Sequence, residues 1–553
     1  MQEPTQLTRS VPRGGTQGQQ MRFSRWTMAD IAADGSKNWP EHVAILDGAT
    51  TLTFRALSAA ARDLADDLLE SGVRHGDRVA VLGSRDADSV VAVLAVCMTG
   101  ASYVPLDPGA DETLLRAALL ATDVRVVIGP KDARQVVSQL TGVAFLCELH
   151  GVAKRRRRGR ERNGYAQPLL TQESVAYLMY RHARSGASRA AQIEHRNVRA
   201  VLDAHNERAR ILPGDRCLNM SPLFSEGSLL DIFLPLYVGA TVIFPGSIVS
   251  PTQVLRLIEN QRVTHLNTVS TQLDFLTGDG RHLDHYDLSS LRSLHTGGEA
   301  GSVRAPNEWL RRRPRLAFVH SYSVTELSGP CISYVKPYWG PITEAHCPIG
   351  RAHRRTRGRL RNPDGALVLE SDQPGELIVA GAQLMRGYFN SPTEDAGAFA
   401  LHQGDRFYRT RDLAFVDRHG DYHALGRVPD ANETSGDVRV LNDISRSLRS
   451  EADVEAAFAG MIGSGSASEL AVSVVTTKPI DACRARELVE RFDRNVPVQL
   501  RPRHWAFLLN APQSPSGRAD RERLLDRLAV AVAAHGARFY HQTQNALHPL
   551  VEN

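Results

Sequence analysis

The chain has 553 residues, 42% of them hydrophobic and 23% charged, and a formal net charge of +5. That length is too great for one ordinary core and implies two or three domains, while no apolar run approaches the roughly 18 residues a membrane span needs. The opening, MQEPTQLTRSVPRGGTQGQQ, offers no apolar signal segment, so a cytoplasmic protein is expected.

The charge is local. Residues 154–162 (KRRRRGRER) hold seven basic side chains and one acid, more than the whole excess, so the rest is close to neutral. The run lies between a strand-like and an apolar segment and reads as an exposed loop. A polyanion-binding role for it lacks the interleaved aromatics of a nucleic-acid surface, so nucleic acid is not the expected partner. Arginine outnumbers lysine 61 to 5, so other arginine clusters partly reflect a chain-wide bias. The six cysteines show no CxxC pair or metal-ligand spacing and read as buried free thiols in a reducing compartment.

In chain order, residues 1–25 are rich in Gln, Gly and Arg without periodicity and are expected to form a disordered tail. Helical patterns at 54–70 and 252–261 then alternate with β-branched runs at 78–82, 124–128, 241–244 and 316–319. This is α/β architecture with substantially parallel sheets. Near Gly426 the stretch GRVPDANETSGD marks a boundary. Beyond it the pattern predicts a helix at 453–459, a strand at 470–475, a helix at 481–494, a strand at 505–509 and a helix at 518–534. The expected organisation is a large domain at 26–426, a small α+β domain at 427–540 and a tail at 541–553.

Several segments occur in one telling order: LTFRAL from Leu52, GASYVPLDP from Gly100, YRHARSGASRAA from Tyr180, GGEA from Gly297, YSVTE from Tyr322, YRTRDL from Tyr408, GR at Gly426, and SGRADR from Ser516. Together they resemble the signature blocks of the adenylate-forming superfamily, and most resemble amino-acid adenylation domains of nonribosomal peptide synthetases. The resemblance implies a large N-terminal domain, a small mobile C-terminal domain and a site between them. The implied chemistry joins a carboxylate to the α-phosphate of ATP with Mg2+, expels pyrophosphate, and passes the acyl group to a thiol. No carrier segment is visible, so the expected acceptor is a carrier thiol in trans, and the resemblance also admits a small activating partner protein.

The resemblance assigns residues one by one. Against the loop pattern YTSGSTGKPKGV only Tyr180, Ser185 and Gly186 match; Arg189 stands for a lysine, and Ala183 and Ala190 replace glycines whose missing Cβ lets backbone approach phosphate. Gly297 and Gly298 match the GGE block. Tyr322 matches the aromatic packed on adenine, Thr325 the hydroxyl near phosphate, and Glu326 the carboxylate that helps hold Mg2+. Asp412 matches the ribose-binding acid and Arg427 the basic residue at the domain junction. Arg518 stands for the lysine that reaches substrate and phosphate, keeping charge but not the compact head group. The hinge and following loop keep only Pro429 or Asp430 at the hinge acid, with Gly436, Leu441, Asp443 and Ile444. For the acyl pocket, Glu226 replaces the aspartate that meets a substrate ammonium, and Gly227, Leu230, Asn267, His295, Gly297, Ser321, Gly329 and Pro330 line the rest. His295 reads equally well as an ordinary histidine beside a strand.

Three readings follow. One is an enzyme that activates an amino acid or related carboxylate. Another is a pseudoenzyme on the same fold that binds nucleotide, acyl-adenylate or a protein without turnover. The third is a polyanion-binding accessory protein using residues 154–162.

Overall fold

A computed structural model describes residues 26–140, 142–154, 170–181, 189–246, 250–278, 280–297, 303–336, 341–342, 347–427, 448, 454–462, 469–476, 478–494, 501–509, 521–535, 538–543 and 546–549. A nine-stranded and a seven-stranded sheet dominate. In the first, strands Val43–Asp47, Thr241–Phe244, Arg216–Leu218, His265–Val269, Ser293–Gly297 and Ala317–Val324 run parallel side by side. In the second, Val175–Arg181, Ser102–Leu106, Arg78–Leu82, Val126–Gly129 and Ala144–Glu148 are parallel neighbours. The α/β expectation holds.

Helix Ala87–Thr99 is buried along almost its whole length and shares one core with residues of both sheets, including Ile45, Val79 and Val81. A helix apolar all round belongs in such a position. Asp86 caps its first turn by accepting from Ser89 N at 2.7 Å, and Gly100, at φ +78°, ends it in the left-handed region. Helix Phe54–Glu70, amphipathic and capped by Thr53, packs one face on the same core.

A smaller antiparallel sheet is built around Asp405–Val416, which pairs with Gly375–Gly381, Phe399–His402 and Tyr422–Arg427. Gly350 joins it to the nine-stranded sheet. Its backbone exchanges hydrogen bonds with Tyr422 at 2.7 and 3.1 Å, while a Cβ on it would stand 2.2 Å from Ser333 O.

From Val454 onward a five-stranded sheet runs in the order Val454–Ile462, Glu469–Thr476, His504–Leu508, Phe539–Thr543, Ala546–Pro549, with helices Ala482–Arg494 and Arg521–His535. Two expectations are corrected here. Residues 453–459 read as a helix from their alanines, but Val454–Ile462 is a strand paired antiparallel with Glu469–Thr476. Its alternate residues serve two cores: Ala457 and Ala459 pack with Leu488 and Trp505, Phe458 and Ile462 with Leu524 and Leu528. Burial on both faces outweighs alanine's helix preference. The expected tail at 541–553 in part continues the sheet through the last two strands. Of the cysteines, Cys97, Cys217, Cys331 and Cys347 are buried free thiols as expected, whereas Cys147 is half-buried and Cys483 exposed. The expected tail at 1–25 and the basic run beyond Lys154 lie outside the described residues.

Gly350→Ala should lower stability by roughly 1–3 kcal/mol, since φ is +85° and the new methyl would collide with backbone. A thermal melt checks it; an unchanged midpoint would mean that the turn relaxes freely. A second expectation concerns pH. Burial pushes His205 and His353 down to about 3, and His195 and His320 to about 4, from an ordinary 6.5. The unfolded chain therefore takes up protons that the folded chain refuses, and stability falls as pH drops from about 6.5 toward 4. Melting temperatures should decline through that window, and His320→Gln should flatten the decline. A profile unchanged by this variant would remove His320 from the account.

Candidate functional site

Three parallel strands of the nine-stranded sheet carry the first residues. Register sets Asn267 opposite His295 and Gly297 opposite Ser321. Gly297 is needed without a side chain, because a Cβ there would lie 2.7 Å from Ser321 O. From Ala317–Val324 the chain enters a short turn, Thr325–Leu327, passes Ser328 at φ +60° and Gly329 at φ +143°, and returns as Gly329–Lys336. Ser328 Oγ donates to Gln383 O at 2.8 Å, and Gln383 Nε2 donates to Pro330 O at 3.3 Å. This stapled turn presents Thr325 and Glu326.

Three acids meet three hydroxyls around it. Thr325 Oγ1 donates a very short hydrogen bond to the carboxylate of Glu226. Tyr388 Oη donates to Glu326 Oε1 at 2.7 Å, and Met385 N donates to Glu326 O at 2.9 Å. Tyr322 Oη donates a very short hydrogen bond to the carboxylate of Asp412. Tyr322 and Glu326 are buried. Burial, with Asp412 alongside, raises the Tyr322 phenol well above its usual range, and burial, with Glu326 alongside, does the same for Tyr388. Both remain neutral donors at ordinary pH. Arg189 places its guanidinium 5.5 Å from the centre of the Tyr388 ring.

Behind Glu226 the chain turns inward through Leu229–Phe233, a π-helical turn. Leu230, Asn267 and His295 line a cavity of about 10 Å3 there. His295 is thus both a buried strand residue and a cavity wall. Gly227 fits tightly, since a Cβ would meet Ser221 Oγ at 2.2 Å. Ser321 Oγ pairs with Ser333 Oγ at 2.8 Å, which in turn meets His353 Nε2 at 2.7 Å.

The structure therefore brings Glu226, Thr325, Glu326, Tyr322 and Asp412 into direct pairs or adjacent turns, and sets Arg427 opposite Asp412 in strand register. One expectation about the loop is corrected. Ala190 lies in the extended strand Arg189–Glu194, paired with Tyr180 and packed in the core beside Leu178 and Phe389, so it is a strand residue rather than part of the loop turn. Ser185, Gly186, Ala183, Gly298, Arg518 and the hinge residues Pro429, Asp430, Gly436, Leu441, Asp443 and Ile444 lie outside the described residues.

Tyr388, His205 and Asp231 were missed. Asp231 accepts from Met220 N, Ser221 N and Asn219 Nδ2 at 2.9–3.0 Å, and burial pushes it up to about 7. Its signal was a lone acid inside the apolar run LLDIF. Tyr388 and His205 carry no comparable local signal.

A family model described as AMP-binding enzyme matches residues 33–389. The phenyloxazoline synthase MbtB of Mycobacterium sp. (strain MCS) is 29% identical over 501 residues, 89% of this chain and 41% of that protein. Surfactin synthase subunit 1 of Bacillus subtilis (strain 168) is 25% identical over 514 residues, 90% of this chain and 14% of that protein. The chain thus spans less than half the length of these relatives. Among solved structures, Klebsiella oxytoca NpsA with 3-hydroxyanthranilyl-AMSN superposes with a TM-score of 0.76 at 20% identity, covering 91% of this chain and 99% of that one. The anthranilate CoA ligase AuaEII with anthranoyl-AMP gives 0.79 at 18% identity, covering 92% and 98%. The family resemblance read from the sequence holds, and with the model matching well over half its length, the chain belongs to the AMP-binding, adenylate-forming enzyme family.

Proposed function

We propose that the chain activates a small α-amino acid or closely related carboxylate with ATP, forming an acyl-adenylate and pyrophosphate, and passes the acyl group to the thiol of a carrier in trans. The contact between Thr325 and Glu226 carries this reading. In an α-amino acid the ammonium and carboxylate sit on one carbon, so a group that holds the ammonium must lie beside one that meets the phosphate. Glu226 and Thr325 satisfy that requirement directly.

In the first step a substrate carboxylate oxygen attacks the α-phosphorus and the bond to pyrophosphate breaks. Tyr322 would wall the adenine and Asp412 would accept from the ribose hydroxyls, with Arg427 across the strand pair. Arg189 and Arg518 would supply positive charge for phosphate oxygens, together with the loop at Ser185 and Gly186 and the glycines Gly297 and Gly298. In the second step the thiolate attacks the acyl carbon and AMP leaves. Leu230, Asn267, His295, Ser321 and Pro330, with Gly227 and Gly329, would line the acyl pocket.

Magnesium fits only in company with the nucleotide. Among the described residues no group of three or more His, Cys, Asp or Glu side chains is placed to cage a metal. Mg2+ commonly takes one or two carboxylates plus substrate phosphates, and Glu326, anchored by Tyr388, is the candidate ligand. The ion would neutralise phosphate charge.

The pseudoenzyme reading rests on Ala183 and the two arginine-for-lysine replacements, Arg189 and Arg518. The strand position of Ala190 removes one of its supports. The basic run at 154–162 remains a separate polyanion-binding proposal that this site does not need.

Asp412→Ala should weaken AMP binding by roughly ten- to a hundredfold, since hydrogen bonds to charged partners are worth about 1.5–3 kcal/mol. Titration calorimetry measures it, and unchanged affinity would mean that Asp412 does not bind the ribose. The full proposal is tested by exchange of labelled pyrophosphate into ATP across a panel of amino acids and their deaminated analogues. Exchange with amino acids that is lost for the analogues and in Glu226→Ala is the expected result. Equal exchange with both classes would reject amine recognition, and AMP binding without exchange would select the pseudoenzyme.

A further inference from the structure

The cavity behind Glu226 has an unusual wall. It holds about 10 Å3, room for one water-sized group, and His205 and His295 face each other across ring centroids 5.2 Å apart, inclined by 53°. Both rings are buried, at 2% and 3% exposure. His295 Nε2 meets Ser293 Oγ at 2.5 Å, yet among the described residues His295 Nδ1 and His205 Nδ1 are buried without a hydrogen-bond partner. Two buried, unpaired ring nitrogens on residues that line a small void with otherwise largely apolar walls call for a polar occupant.

The place of the void limits what that occupant can be. Leu229 N and Leu230 N donate to Glu226 O and Gly227 O, so Leu230 on the cavity wall follows one turn after Glu226. Asn267 stands opposite His295 on the neighbouring strand. The void thus shares Leu230, Asn267 and His295 with the acyl pocket assigned above, and His205, Ala209 and Ile211 form its other side.

We propose that this cavity receives the tip of the substrate side chain, and that His205 and His295 select a short side chain ending in a hydroxyl, such as that of serine or threonine. The inference rests on the amino-acid-activating reading of the site. A hydroxyl carries one donor and two acceptor sites, so it can meet two neutral imidazoles provided at least one of the facing nitrogens carries its proton. Burial holds both rings uncharged, which disfavours an anionic side chain. A cationic tip finds the Asp231 carboxylate already engaged by three donors. A branched or aromatic apolar side chain exceeds the volume and leaves both nitrogens unpaired. A methyl fits but makes no hydrogen bond.

The test is calorimetric titration of the full chain with 5′-O-sulfamoyl adenosines bearing seryl, threonyl, alanyl, leucyl and ornithyl groups. The seryl or threonyl compound should bind at least about tenfold tighter than the alanyl one, because the latter leaves polar groups unmet. That ratio should collapse toward one in His205→Leu and in His295→Leu, and be partly kept in His205→Asn and His295→Asn, which retain a hydrogen-bonding group and guard against a folding defect. Tightest binding by the leucyl or ornithyl compound, equal binding of seryl and alanyl, or a ratio indifferent to all four variants would overturn the assignment, the second outcome meaning that the void holds only a water. If no aminoacyl compound binds more tightly than AMP, the amino-acid reading falls with it. If they bind in another order, only the hydroxyl selection falls.

Discussion

The hydrogen bond from Thr325 to Glu226 is the contact on which the rest of the site depends, because it joins two parts of the chain 99 residues apart. Thr325 is held by the turn after Ala317–Val324, and that turn needs the left-handed backbone of Ser328, the open φ of Gly329 and the staple through Gln383. Glu226 is held at the head of the Leu229–Phe233 turn, which Asp231 pins from within by accepting from Met220 N and Ser221 N. Local backbone geometry on each side is thus fixed for a contact that neither side makes alone.

Acids elsewhere in the fold show why this contact is of a different kind. Glu194 is clasped by Arg196 at 2.5 Å and Arg386 at 2.8 Å, Glu376 by Arg409 at 2.9 Å, and Asp215 by Arg292 in a very close pair. These carboxylates have their charge balanced within the protein and hold strands and helices together. Glu226 and Glu326, among the described residues, instead lean on the neutral hydroxyls of Thr325 and Tyr388. A hydroxyl orients a carboxylate without cancelling its charge, so each remains able to meet a cation or a donor. In a chain with 61 arginines, that difference among the described residues supports the proposed site roles of Glu226 and Glu326.

Much of this was legible in the sequence where a residue's role is local. The strands Arg78–Leu82 and Thr241–Phe244 and the helix Phe54–Glu70 follow from periodicity and emerge at the expected bounds. The acids Glu226, Glu326 and Asp412 could be aligned because they stand in ordered motifs. What escaped is set by partners distant in the chain. Val454–Ile462 is a strand because Glu469–Thr476 pairs with it and two cores take its opposite faces, and its alanines alone point the other way. His205 lies on a helix like any other buried residue until His295, 90 positions later, brings a ring beside it. Tyr388 belongs to the site only because its two-residue strand pairs with Arg189–Glu194 and sets the phenol on Glu326.

The central claim is that these acids, held by hydroxyls, serve a proposed phosphate site in which Arg189 stands for a lysine at the head of the strand Arg189–Glu194. The most direct measurement is mass-spectrometric detection of acyl-adenylate bound to the purified chain after mixing with ATP, Mg2+ and pooled amino acids. The account predicts an acyl-AMP retained at close to one per protein. Retention of ATP or AMP with no acyl-adenylate from any acid would contradict it.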